Sequence, residues 1–306
     1  MKSLRIVFMG TPEFAVASLE SLLGSQHTIV SVVTAPDKPQ GRGLQLTPSP
    51  VKVCAMKHQL PVLQPEKLKS EDFQVELKNL HADLFVVVAF RMLPESVWSM
   101  PPMGTINLHA SLLPKYRGAA PINWAIINGE TETGITTFRL KQEIDTGNIL
   151  FRESEPIFPD DNAGSLYERL MIKGADLILK TTNAIADGTA IETPQPPSPE
   201  GLPMAPKIFK ETCKIDWNRS AVQCLNHIRG LSPYPAAWCE INGRIFKIFK
   251  AEAVKNQRPG EPGTIGSNQK DTLEICCIDG WVSIKELQPE GKKRMTIEEY
   301  FRGNRI

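Results

Sequence analysis

Two side chains that could do chemistry, Asn107 and His109, stand two residues apart in the stretch GTINLHASLLPKYRGAAPINWAI at 104–126. If residues 104–109 form a strand, both project from one face and Leu108 projects into the opposite layer. A primary amide can donate to an oxyanion, and an imidazole can take up or deliver a proton near neutral pH. Farther on, KQEIDTGNIL places Asp145 in a turn beside Gly147, between two strand-like runs. An amide, an imidazole and a carboxylate converging at one strand end suit acyl transfer to an amine. Such a reaction needs no serine or cysteine nucleophile, because an α-amino group has a pKa of about 7.7–8.0 and is partly neutral at pH 7. Asn-x-His is short and common, and by itself is more often a satisfied structural pair. The ordered turns after it, SLLP at 111–114 and YRGAAP at 116–121, add weight to the chemical reading.

The elements that must position these groups follow from periodicity. Residues 4–9 read as a buried strand, after which Gly10 turns the chain, Thr11 can cap a helix and Pro12 suits its first position. TIVSVVT at 28–34 is a second strand, and Ser49-Pro50 opens a helix at 51–58. DLFVVVAF at 83–90 is apolar on both faces, as a central parallel strand should be. Strands at 104–109, 134–140 and 147–153 and a long helix at 164–188 complete a doubly wound, Rossmann-like α/β domain with a mostly parallel sheet, expected over 1–190. The proline-dense stretch 191–207 reads as a semi-rigid linker. Beyond it, 208–306 offers a helix at 218–230, several short strands and a closing helix, the signature of a small, OB-like β-barrel domain.

At 306 residues the chain suits about two domains. Residues 206–306 carry 17 Lys and Arg against 12 Asp and Glu, while the whole chain is balanced at +1. Composition alone leaves open a polyanionic partner and an ordinary solvated surface. Six cysteines without C-x-x-C spacing read as reduced, mostly buried thiols of a cytoplasmic protein. Five scattered histidines predict no metal site. The apolar run at 84–90 is far below the ~20 residues that span a bilayer, and the N-terminal run reads as a strand rather than a signal peptide. Dinucleotide binding, the first thought for such a domain, is resisted. After Gly10, the fingerprint G-x-G-x-x-G has Pro12 and Ala15 where the other two glycines belong.

INLHASLLPKYRGAAPI followed by DTGNIL resembles the 10-formyltetrahydrofolate-dependent formyltransferase superfamily. The likeness extends over nearly the whole chain to the branch that formylates methionine on initiator tRNA, through IVFMGTPEFA, PDKPQGRGLQLTPSPVK, KIDWNRSA, LSPYPAAW and LQPEGKKRM. The Asn/His/SLLP segment is shared with sister enzymes such as glycinamide ribonucleotide formyltransferase. The proline-rich basic loop and the C-terminal domain are more particular to the tRNA branch. That branch usually reads VVAYGxxLP where this chain has VVVAFRMLP, one residue shorter and with Arg91 in place of glycine.

The resemblance implies roles residue by residue. Asn107 would polarise the formyl carbonyl and stabilise the oxyanion. His109 would assist or shuttle the proton, and Asp145 would hold His109 and help to deprotonate the amine. Ser111, Leu112, Leu113 and Pro114 would lie along the folate, with Met92 and Leu93 near the pterin. Arg42 and Lys38 on the loop 34–52, with Lys207 and Lys210, would contact tRNA. The co-substrate would be 10-formyltetrahydrofolate, the acceptor initiator methionyl-tRNA, and the enzyme a cytoplasmic monomer with no metal and no membrane partner. The alternatives are a sister enzyme acting on a small amine such as an amino-sugar nucleotide, and a catalytically idle tRNA- or folate-binding protein. The basic loop and basic second domain argue against the first, and Asn107, His109 and Asp145 together argue against the second.

Overall fold

The computed structural model describes residues 2–40, 45–196, 201–254 and 260–306. In chain order it begins with β1 (Arg5–Gly10), α1 (Glu13–Leu23), β2 (Thr28–Val33), β3 (Lys38–Gln40), β4 (Gln45–Thr47), α2 (Pro50–Lys57), β5 (Val62–Leu63) and α3 (Glu71–Asn79). It continues through β6 (Leu84–Val88), α4 (Glu95–Trp98), β7 (Thr105–His109), α5 (Pro121–Ile127), β8 (Glu132–Arg139), β9 (Ile149–Pro156) and α6 (Ala163–Ala186). The last part holds α7 (Ala221–Leu231), β10 (Ala237–Ile241), β11 (Arg244–Val254), β12 (Ile265–Ser267), β13 (Leu273–Cys276), β14 (Trp281–Pro289), β15 (Met295–Thr296) and α8 (Ile297–Phe301).

These elements form two compact units that interleave along the chain. The first comprises Met1–Arg117, Gly134–Glu155 and Tyr167–Pro203, and the second Gly118–Thr133, Pro156–Leu166 and Met204–Ile306. Two segments within 1–190 therefore fold with the C-terminal part, a grouping that no single cut along the sequence expresses.

The first unit is built on a seven-stranded sheet in the order β5-β2-β1-β6-β7-β8-β9. The pairings from β5 through β7 are parallel, and β8 runs antiparallel to β7. Strand β6, LFVVV, is buried at every position, which is why it shows no alternation in the sequence. Val7, Met9, Phe85 and Val87 share one face with Phe73 and Leu77 of α3 and with Val97 of α4. On the other face of β7, Leu108 lies under Gly174 of α6, where an added Cβ would come 2.7 Å from a Leu108 methyl. Asn107 and His109 thus project to the face opposite Leu108, as their spacing predicts. The strand order reverses between β1 and β6, the kind of crevice where open α/β sheets hold ligands at their carboxyl ends.

Local differences from expectation have simple causes. Pro12, not Thr11, occupies the N-cap of α1, extended at φ −79° and ψ 173°, with no side-chain cap. Proline has no N–H to satisfy, and Glu13 in the first turn complements the helix dipole instead. Gly10 serves close packing: a Cβ there would come 2.7 Å from Ala15 Cβ. Ser49 does cap α2, accepting from the Lys52 amide at 3.1 Å, with Pro50 just inside the helix. The basic loop after β2 contains a small antiparallel ribbon of β3 and β4, in which Pro39 faces Leu46.

In the second unit, β10-β11-β14-β13-β12 form an antiparallel sheet with β15 added to β14. Register shifts at Ile248 to Ala251 put bulges in β11, and bulges bend a strand, giving a curled half-barrel rather than a flat sheet. Its core joins Phe246, Ile248, Leu273, Val282 and Ile284 to Ile228 of α7 and Ile127 of α5. The six cysteines are free and buried.

Candidate active site

The last residue of β7 is His109, and its ring is held by the turn that follows. Nε2 lies 2.8 Å from the Tyr116 carbonyl oxygen. A carbonyl only accepts, so Nε2 carries the hydrogen and Nδ1 is the nitrogen left for proton transfer. Nδ1 faces the Asp145 carboxylate, 3.7 Å from Oδ2, beyond direct hydrogen-bond reach but within ion-pairing distance. His109 is 6% exposed, so the pair sits largely out of water. Asn107 is half-buried on the same face, and among the described residues no hydrogen bond engages its amide. The structure therefore brings Asn107, His109 and Asp145 to one strand end.

The segment after His109 is fixed by buried polar contacts. Thr136 of β8, opposite His109 in register, donates its hydroxyl to the Ser111 carbonyl at 2.7 Å and accepts from the Leu113 amide at 3.2 Å. Ser111 donates its own hydroxyl to the Lys115 carbonyl at 2.6 Å, and Arg152 donates to the Leu113 carbonyl at 3.1 Å. Leu113 is 0% exposed and forms a small cluster with Phe138 and Ile149. The side chains of Ser111 and Leu113 are thus part of the frame. Leu112 and Pro114 are half-buried, and a Leu112 methyl packs against Gly134 of β8, where an added Cβ would come within 2.6 Å of it.

The turn bearing Asp145 is equally constrained. Asp145 adopts φ +54°, in the left-handed region. Gly147 lies so close to β8 that a Cβ would overlap the Arg139 carbonyl oxygen, so contact dictates the glycine of D-x-G. Ile144, beside Asp145, and Met92, after β6, are 61% and 69% exposed. Both leave an apolar side chain open to solvent. Leu93, by contrast, is buried in the core with Val97. Arg91 turns away to the Pro65 and Glu66 carbonyls at 2.8 and 3.1 Å, with its guanidinium 5.2 Å from the centre of the Phe90 ring. Burial pushes its pKa down.

Of the residues expected to meet tRNA, Arg42 lies outside the described residues. Lys38 is exposed on β3. The base of its loop is closed by the Lys52–Asp37 ion pair at 2.6 Å and by a Gln64 bond to Asp37 at 2.8 Å. Lys52 first and Gln64 second hold the Asp37 carboxyl below its ordinary range. In the second unit Lys207 and Lys210 are exposed, and the Lys207 ammonium lies 5.6 Å from the Phe209 ring centre. Among the described residues, Glu20, Cys54 and His58 bring ligand-type atoms within 4.8 Å of one another. Burial and then Glu20 push the Cys54 thiol up. No described helix is long and apolar enough to cross a membrane.

Two contributors escape a sequence reading: the Tyr116 carbonyl and Thr136. Thr136 could have been found from the register of β8 against β7. Tyr116 acts through its main chain, so it carries no local signal.

Comparison with known proteins bears on the whole chain. The formyl transferase family profile matches residues 4–182, and the formyl transferase C-terminal domain matches 207–305. The chain is 51% identical over 309 residues to the methionyl-tRNA formyltransferase of Bacteroides fragilis, covering 99% of this chain and 95% of that one. It is 52% identical over 310 residues to the methionyl-tRNA formyltransferase of Azobacteroides pseudotrichonymphae, covering 98% and 96%. Among solved structures, the N-formyltransferase of Helicobacter canadensis, in complex with folinic acid and dTDP-3-aminofucose, superposes with a TM-score of 0.68 at 21% identity. That match covers 95% of this chain and 100% of the other and speaks for the fold.

Proposed function

The chain belongs to the formyl transferase family, and from that premise we propose that it moves the formyl group of 10-formyltetrahydrofolate to the α-amine of methionine on initiator tRNA. The observation that carries the chemistry is the convergence of Asn107, His109 and Asp145 at the end of β7. The acceptor is supported by relatives about half identical over nearly their whole length.

The folate supplies an activated formyl group. The neutral amine attacks the formyl carbon, and negative charge grows on the formyl oxygen. The Asn107 amide donates to that oxygen. As the C–N bond to the folate breaks, the amine loses a proton and the folate nitrogen gains one. His109 Nδ1 is the atom placed to relay it, with Asp145 balancing the charge. Nε2 takes no part, because the Tyr116 carbonyl holds it. Leu112 and Pro114, with Met92, line the folate, whereas Ser111, Leu113 and Leu93 keep that wall in place. Lys38, Arg42, Lys207 and Lys210 contribute phosphate contacts to tRNA, the kind that give affinity and salt dependence rather than sequence choice. The first unit is the catalytic part and the C-terminal sheet the tRNA-binding part of a cytoplasmic monomer.

The test is an acceptor panel with labelled formyl donor: charged initiator tRNA, uncharged initiator tRNA and an amino-sugar nucleotide. Label should enter the charged tRNA alone. Label in the sugar nucleotide, with none in the tRNA, would overturn the proposal.

A further inference from the structure

After α6 the chain returns to the turn that carries Asp145. The Glu192 carboxylate accepts from Arg139 Nε at 2.9 Å and from Asn148 Nδ2 at 3.0 Å. Burial alone would raise Glu192, but the bonds from Asn148 and Arg139 outweigh it and hold the carboxyl below its ordinary range. Thr193 and Ile149 exchange main-chain hydrogen bonds of 2.8 Å in both directions. Gln195 then donates through Nε2 to the carbonyls of Asp145 and Gly147, each at 2.8 Å. Its Oε1 accepts from Arg117 Nε at 3.2 Å and Nη2 at 2.5 Å. Both donors and the acceptor of this one amide are therefore committed.

The network ties the two members of the proton-handling pair to consecutive residues. The Tyr116 carbonyl fixes His109 through Nε2. The next residue, Arg117, is 6% exposed and fixes Gln195, which fixes the Asp145 main chain. Asp145 stands at φ +54°, a left-handed conformation that aspartate adopts more readily than most residues and that bonds to the main chain of the turn hold in place. Gln195 supplies that hold at the residue itself and again two positions on.

We propose that Gln195 is a positioning residue for formyl transfer: it pins the 145–147 turn so that the Asp145 carboxylate faces His109 Nδ1. This rests on the role given to Asp145 above. Gln195 lies between the two stretches that the family profiles match, and its side-chain amide is committed to Arg117, Asp145 and Gly147. The linker is thereby part of the catalytic frame as well as a connection.

The experiment compares Gln195→Ala, Gln195→Glu, Asp145→Asn and the double variant Gln195→Ala/Asp145→Asn in the full-length enzyme, with charged tRNA and formyl donor both varied. Gln195→Ala should lower kcat by about 10–100-fold, since small misplacements of catalytic groups carry penalties of that order. Both KM values should stay within about twofold, because binding contacts are untouched. Gln195→Glu can still accept from Arg117 but cannot donate to the two carbonyls, so its kcat should fall similarly. In the Asp145→Asn background, Gln195→Ala should add less than about a twofold loss, the non-additivity of residues that act as a unit. Hydrogen exchange over 141–148 should quicken in both Gln195 variants while the cores keep their protection. Parent-like kcat in a folded Gln195→Glu, or losses that multiply fully in the double variant, overturn the positioning role. Parent-like kcat in Asp145→Asn overturns the reading of Asp145 itself, a result separable from an inactive Asp145→Asn beside a fully active Gln195→Ala.

Discussion

The carboxyl end of β7 and the stretch that opens the C-terminal part of the second unit put polar side chains to opposite use. Around β7, His109, Ser111, Arg117 and Thr136 are buried, and each makes at least one side-chain hydrogen bond to a fixed partner. Around 207–210, Lys207 and Lys210 stand in solvent, and the Lys207 partner is the half-exposed Phe209 ring. The first arrangement fixes geometry before the substrate arrives, which is what transition-state stabilisation requires. The second creates a local positive field that tolerates variation in side-chain position. Loss of a group in the first region should therefore appear in kcat, and loss in the second in the KM for tRNA and its salt dependence.

The largest expected effect is at Asn107. Asn107→Ala should lower kcat about 10²–10³-fold, the usual loss for one oxyanion donor, with little change in either KM. A kcat within about tenfold of the parent would remove the amide from the oxyanion role. Leu113→Ala asks whether the frame matters as much as the groups it carries. It should cost about 2–5 kcal/mol in denaturant unfolding, because the side chain is wholly buried beside Phe138 and Ile149. A loss below about 1 kcal/mol would mean that the 111–114 segment relaxes freely. Lys207→Ala/Lys210→Ala should leave kcat unchanged, raise the KM for tRNA, and reduce the slope of log affinity against log salt by roughly 0.7–0.9 for each phosphate no longer neutralised. An unchanged slope would return both lysines to ordinary solvated surface.

The smallest effect is expected at an ion-pair cluster outside both regions. Glu155 pairs with Arg169 at 2.7 Å and with Lys173 at 2.5 Å. Burial would raise its carboxyl, but the bonds from Lys173 and Arg169 outweigh that and depress it below the ordinary 4.5. A depressed carboxylate stabilises the fold above its unfolded-state pKa, and that contribution fades as pH falls through the folded-state value. Glu155→Gln should cost about 1 kcal/mol at pH 7, allowing for the partial exposure of both cations, and should flatten the loss of stability below pH 4.5. An equally steep acid limb in the variant would assign the acid sensitivity elsewhere.

Much of this contrast was readable in residues and spacing. The uninterrupted LFVVV run marked the central strand, and the two-residue spacing of Asn107 and His109 put both on one face. The ribbon of β3 and β4 was hidden because Pro39 cannot donate to a ladder and so argues against a strand. An edge position in a two-stranded pair removes that objection. The grouping of α5 with the C-terminal core depends on the packing of residues such as Ile127 and Ile228, a hundred positions apart, which periodicity does not encode. Gln195 was hidden for the same reason: its partners lie about fifty and eighty positions earlier. The chemistry was legible because residue type carries it, whereas the supports are main-chain carbonyls and distant amides with no signature of their own.

The central claim, that His109 serves the chemical step and not substrate binding, is tested most directly by single-turnover formyl transfer to charged initiator tRNA, with folate binding measured on the same protein. His109→Ala should bind the folate within about threefold of the parent while transferring formyl at least about 100-fold more slowly, as loss of a general acid–base group does. Transfer at the parent rate, or folate binding lost in proportion to the rate, would contradict the account.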